Sequence, residues 1–172
     1  MTAKGSMYST EAITLSKLDQ GEHDVLYTFY TREYGKMRGL AIGVKKETAK
    51  LKGHLEPLTR TRIQFILSRA GERITSAEMR DPFVEIKSNW NKTRAASYIL
   101  ALLDQHAFEN ERDYELWNLL ISELDQLQVL SGESNLLSSF LREFEKKFLE
   151  RLGYSEETDL RVLGDAVLRP WG

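Results

Sequence analysis

The sequence predicts an α+β chain, a five-stranded β-barrel followed by an all-α helical bundle, and three observations carry that prediction. The hydrophobic period is two residues in the first half and changes to about 3.6 after Asp81-Pro82. Five short strand-like runs fall within about 75 residues, separated by turn chemistry. Charge divides along the same line: residues 1–87 hold 15 Lys+Arg against 11 Asp+Glu, a net of +4, and residues 88–172 hold 9 against 15, a net of −6.

The elements follow in order. Met1 to Ser6 carry no pattern and precede a second methionine, so they are expected to be a leader or an expression scar. Tyr8 to Leu18 alternates Ile13 and Leu15 with polar neighbours, with Ala12 out of step, and Asp19 to Asp24 is the turn. Val25 to Thr31 is rich in β-branched and aromatic residues; Glu33-Tyr-Gly-Lys36 breaks it, and Met37 to Val44 resumes as the third strand of a meander. After a lysine-rich stretch from Lys45 to Gly53, Leu55 to Leu67 reads as a longer strand region interrupted by Pro57. Ala70-Gly-Glu72 is a hairpin turn and Arg73 to Met79 the fifth strand. That size and strand count fit an OB-type barrel over residues 7–82.

Three amphipathic helices are expected over residues 83–154. Their stripes are Ala95, Tyr98, Ile99, Leu102, Leu103; then Tyr114, Trp117, Leu120, Ile121, Leu124, Leu127; then Leu137, Leu141, Phe144, Phe148. Ser134 is placed at the start of the third helix and Gly153 just past its end. Short connections suggest an antiparallel bundle. Residues 155–172 form a tail without an assigned structure, and neither Trp90 nor Trp171 has an obvious place.

The composition narrows the function. With no cysteine, disulfides, thiol nucleophiles and cysteine-ligated metals are excluded. His23, His54 and His106 lack ligand spacing, so no metal site is expected, and His54 reads as a surface or hydrogen-bonding residue. Neither a Gly-x-x-x-x-Gly-Lys-Ser/Thr loop nor Gly-x-Ser-x-Gly occurs, and carboxylates such as Glu47 with Glu56 or Asp104 with Glu109 are accounted for by solvated surface. An enzyme, a catalytic residue and a cofactor are therefore not expected. A cytoplasmic location is.

The functional signal is basic. Residues 32–62 hold nine basic against three acidic side chains, a net of +6, where a polyanion would bind. Arg32, Lys36, Arg38, Lys45, Lys46, Lys50 and Lys52 are the candidate DNA-binding residues, because phosphate contact needs only positive charge and reach. The competing reading is a solvated lysine loop. Among aromatic stacking candidates, alternation puts Tyr27 and Phe29 on one face, with Phe29 expected in the core; Tyr30 and Tyr34 remain secondary. In the helical half, Trp117, Phe140, Phe144 and Phe148 are expected as core. Lys146, Lys147 and Arg151 could rim a pocket for an acidic, apolar-ended peptide; alternatively they pair with Glu143, Glu145 and Glu150.

Tyr8-Ser-Thr-Glu-Ala-Ile-Thr-Leu15, the run from Thr31 to Val44 containing Tyr34-Gly-Lys-Met-Arg38, Gly53-His-Leu-Glu-Pro-Leu-Thr59 and Leu149-Glu-Arg-Leu-Gly-Tyr154 together resemble the bacterial RecO family of recombination mediators. Lys36 and Arg38 match that family's Tyr-Gly-Lys-x-Arg pattern, and Lys45 and Lys46 its basic pair. The resemblance implies an N-terminal OB domain and a helical domain, and a DNA repair and recombination role in the RecF pathway. The implied activities are binding single-stranded DNA, annealing complementary strands and loading recombinase onto coated strands. Implied partners are single-stranded DNA, RecR and the acidic C-terminal tail of single-strand binding protein. The chain departs from the family in lacking the four-cysteine, zinc-finger-like insertion after the Gly-Tyr matched by Gly153 and Tyr154. It also ends about one helical subdomain early, as a short member or a shortened chain would. A protein-interaction adaptor with little DNA affinity is the alternative.

Overall fold

The computed structural model describes residues 6–154, so the expectations for residues 1–5 and 155–172 lie outside the described residues. Five strands close into a barrel: β1 (Met7–Gln20), β2 (Asp24–Thr31), β3 (Gly35–Ala41), β4 (Arg60–Ser68) and β5 (Gly71–Asp81). Their order around the barrel is β1-β2-β3-β5-β4, with β4 returning to β1. All pairings are antiparallel except β3 with β5, where Leu40 registers with Arg73 in parallel. This is the OB-fold arrangement, a small Greek-key barrel without free edges.

Alternation fills the interior. Val25, Tyr27 and Phe29 of β2, Met37 and Ala41 of β3, Ile63 and Phe65 of β4 and Ile74 of β5 form one buried cluster. The Tyr27 and Phe29 rings stack with centroids 5.8 Å apart, on the shared face that alternation predicts. In β1 the alternation fails. Ala12, Ile13, Thr14 and Leu15 are all buried, and the register with β2 shifts between Thr14 and Ser16 at a bulge.

The fourth strand is shorter than expected, beginning at Arg60 rather than near Leu55. Pro57 has no N–H to donate, and Leu58 sits at φ 56, outside extended geometry. Leu55 and Leu58 are nonetheless buried, which explains why the run reads as a strand. Before them, a chain of turns spans the lysine-rich stretch: Lys46 N–H donates to Gly43 O, Ala49 to Lys46 and Lys52 to Ala49, at 3.0 to 3.2 Å. Val44 and Leu55 anchor this segment in the barrel core. His54 is hydrogen-bonded, its Nδ1 accepting from Met79 N–H at 3.3 Å.

Residues 106–113 belong to the same compact unit as the barrel, although they fall between two helices in sequence. Among the described residues the second unit contains four helices: α1 (Val84–Lys87), α2 (Trp90–His106, apart from its last residue), α3 (Tyr114–Val129) and α4 (Ser134–Arg151). One-turn α1 is too short to show a period. Ile86 from α1 is buried, as are Ile99, Leu102, Trp117, Leu120, Leu124, Leu127, Phe144 and Phe148 from the longer helices. Phe140 and Leu141 are only partly buried, and Tyr114 and Trp90 are exposed.

Ion pairs fix the helix directions. Arg151 near the end of α4 meets Glu115 at the start of α3, and Lys147 meets Glu123 farther along, so α3 and α4 run antiparallel. Lys92 Nζ, near the start of α2, donates to Gln128 O, near the end of α3, at 2.8 Å. Ser134 is the first helical residue rather than the cap; the extended residue before it, Glu133, makes no side-chain cap bond. At the other end Gly153, at φ 85, donates to Glu150 O while Tyr154 N–H reaches Leu149 O, a Schellman termination that uses glycine's access to positive φ.

Candidate nucleic-acid interface

Strand β3 carries two of the candidate cations on the outer side of the barrel. Its burial alternates, with Gly35, Met37, Gly39 and Ala41 inward and Lys36, Arg38 and Leu40 outward. Lys36 registers with Tyr30 and Arg38 with Thr28, so both lie on the outer face of the β2–β3 ladder. This alternation follows from the sequence, since small or apolar residues occupy every second position. Gly39 is required inside: a Cβ there would lie 2.5 Å from the Ile74 side chain.

The other candidates are placed around this strand. Arg32 is exposed in the turn between β2 and β3, with a guanidinium nitrogen 3.9 Å from Glu33. Lys45 follows β3, its backbone N–H bonded to His23 O and its ammonium 2.8 Å from Asp19, which ties it to the β1–β2 turn. Lys46, Lys50 and Lys52 are exposed on the turn-rich segment. Arg73, exposed on β5 in register with Leu40, adds a cation on the strand next to β3 that lies outside the basic run of residues 32–62. The β3–β5 closure that brings it there is a long-range pairing, invisible in a strand's own pattern.

Residues 106–113 also meet β3, and no local signal announces it. Lys36 and Glu109 form a parallel β-bridge, Asn110 N–H donates to Lys36 O at 2.8 Å, and a Glu109 carboxylate oxygen lies 3.2 Å from Arg38. His106 is held below its ordinary pKa, first by burial and then by the positive charge of Lys36.

The aromatic candidates are occupied. Tyr30 is 1% exposed, which removes it as an open platform. Tyr34 packs edge-on against Tyr8 and Phe65, centroids 6.2 and 5.4 Å away. Tyr27 is buried, and its phenol is pushed up to about 12 by that burial and by the carboxylates of Glu56 and Asp19.

In the helical unit, Lys147 and Arg151 pair across to α3: Lys147 lies 2.9 Å from Glu123 and Arg151 2.6 Å from Glu115. Lys146 is exposed. A groove of about 330 Å³ lies instead between α2 and α4, with Ala95, Leu137 and Leu141 supplying apolar walls and Arg94 a cation. At one end the Tyr98 hydroxyl donates to Glu145. Burial, followed by that carboxylate, raises the Tyr98 pKa. Among the described residues no group of three or more His, Cys, Asp or Glu is arranged to hold a metal ion, and no helix is long and apolar enough to cross a membrane.

Strand order and outward cations together define an OB-fold protein with an appended helical unit. Residues 6–83 match the family model described as Recombination protein O N terminal. The chain is 30% identical over 165 residues to a DNA repair protein RecO of Syntrophus aciditrophicus, covering 95% of this chain and 62% of that protein. It is 33% identical over 162 residues to the corresponding protein of Desulforamulus reducens, covering 94% and 61%. With that of Pelotomaculum thermopropionicum it shares 32% over 149 residues, covering 86% and 56%. Residues 6–83 thus match the family's N-terminal model, and the chain as a whole is similar to RecO proteins over about three-fifths of their length.

Proposed function

We propose that this chain acts in DNA repair and recombination as a mediator that binds single-stranded DNA on the outer face of its barrel. The observation that carries the reading is the pair Lys36 and Arg38, two residues apart on the outward side of β3 in an OB barrel. The β2–β3 face is a surface that OB folds use for oligonucleotides. Lys45, Lys46, Lys50 and Lys52, with Arg32 and Arg73, extend the positive surface available to a phosphate backbone. Neutralising phosphates lowers the repulsion between two strands, and base pairing then drives annealing without nucleotide hydrolysis. Loading recombinase onto coated strands is the step this binding would serve, in the cytoplasm at the nucleoid.

Partners are assigned to the helical unit and the rest of the chain surface: RecR, and the acidic tail of single-strand binding protein. For the tail, the α2–α4 groove with Arg94 is better supported than Lys147 or Arg151, whose charges are already paired with α3. Lys146 remains an exposed contributor. The same groove favours the second reading, an interaction adaptor with little DNA affinity.

Fluorescence anisotropy of a labelled single-stranded oligonucleotide, at two salt concentrations, separates the readings. The mediator reading expects binding that weakens steeply with salt, and weaker binding to every sequence after charge reversal at Lys36, Arg38, Lys45 and Lys46. Absence of binding at low salt would make the adaptor reading the better one.

A further inference from the structure

Seven aromatic rings belong to the barrel unit: Tyr8, Tyr27, Phe29, Tyr30, Tyr34, Phe65 and Phe108. Six are buried or half-buried, while Phe108 is 69% exposed. Phe108 is the ring of this unit with the most surface open to a base.

Its position is fixed rather than incidental. The neighbouring Ala107 is buried, and the next residue, Glu109, bridges Lys36 and reaches Arg38 with its carboxylate. Asn110, at φ 57, turns its N–H onto Lys36 O. Beyond it, Glu111 packs so closely on Gly35 that a Cβ there would sit 1.9 Å from the Glu111 carbonyl oxygen. Backbone contacts thus hold an uncovered phenyl ring within one residue of the bridge to Lys36. An exposed ring on a segment bonded to a cationic strand suits single-strand recognition, because every base offers a π-face while its phosphate seeks positive charge.

We infer that Phe108 is a stacking platform for a base of the bound strand, presented beside Lys36 and Arg38 by the docking of residues 106–113 on β3. The inference rests on the single-strand-binding reading above and adds base contact to its phosphate contacts.

The test compares the wild-type chain with Phe108→Ala and Phe108→Trp on a labelled oligothymidine and on an abasic oligonucleotide of equal length. Phe108→Ala is expected to weaken oligothymidine binding about 5- to 150-fold, the range for losing one stacked base. The slope of affinity against salt should stay as in the wild type, since no phosphate contact is removed. Phe108→Trp should bind like the wild type, and neither variant should alter binding to the abasic strand. Unchanged oligothymidine binding by Phe108→Ala, or an equal loss on both strands, overturns the platform while leaving the phosphate contacts standing. Failure of the wild-type chain to bind either strand overturns the DNA-binding reading itself, and the platform with it.

Discussion

Arg38 and Glu109 form an ion pair, 3.2 Å between guanidinium nitrogen and carboxylate oxygen, on the strand proposed to meet DNA phosphates. Both side chains are more than half exposed, so the pair contributes little to stability. Its effect is on the local field, because a phosphate approaching Arg38 competes with a carboxylate already there. Glu109→Gln keeps the shape and the backbone bridge to Lys36 while removing the negative charge. Single-strand affinity should rise between about 1.5- and 5-fold, the range expected from an exposed pair. The gain should shrink as salt is added, since salt screens the same repulsion. Equal affinities at low salt would place the bound phosphates away from Arg38.

The contact between Gly35 and Glu111 makes a separate prediction. Gly35 lies at φ 65 and Gly21 at φ 70, but Gly35 meets the Glu111 backbone while nothing lies within 4 Å of a Cβ at Gly21. Alanine at either position suffers the left-handed backbone cost of about 1–3 kcal/mol. Only Gly35→Ala must also displace residues 106–113. It should be the more destabilising of the two in urea unfolding, and hydrogen exchange at the Asn110 amide should quicken in Gly35→Ala alone.

Lys147 and Glu123 behave differently from a surface pair, since the Glu123 side chain is 2% exposed and Lys147 is its partner at 2.9 Å. Lys147→Met leaves a buried carboxylate without that ammonium, at a cost of about 1–3 kcal/mol. Adding Glu123→Met should recover most of the loss, because two apolar side chains can replace a buried pair. Chemical denaturation of both variants measures the difference. Loss of partner binding in a Lys147 variant would then reflect a loosened α3–α4 contact, so Arg94 and Lys146 are the informative positions for a docking test.

Local periodicity made much of the architecture legible. Tyr27 and Phe29 share an inward face, and the stripes of α2 to α4 are largely buried, because one strand or helix carries its own alternation. Where backbone conformation or distant contacts decide, the pattern misleads. Leu55 and Leu58 are buried as strand residues would be, yet Pro57 and the positive φ of Leu58 delay β4 to Arg60. Tyr114 lies on the apolar stripe of α3 but at its first turn, where it is exposed. The seven basic candidates are visible in composition, whereas residues 106–113 have no local pattern that names Lys36 as their partner. Lys147 and Arg151 look like a basic helix face until α3 supplies Glu123 and Glu115.

Tyr27 predicts how stability depends on alkaline pH. Its phenol is pushed from 10.0 up to about 12, by burial first and then by Glu56 and Asp19, so the folded chain holds this proton more tightly than the unfolded chain. The associated stability is fully present below pH about 10 and is lost as pH rises through about 12. A proton held that much more tightly is worth about 2–3 kcal/mol across the window. Lysines and other tyrosines titrate there too, so the comparison must be with Tyr27→Phe, which keeps the ring stacked on Phe29 but has no proton to lose. Urea midpoints measured at pH 8, 10 and 11.5 should fall more steeply for the wild type than for Tyr27→Phe. Parallel slopes would mean that the buried phenol loses its proton without opening the barrel.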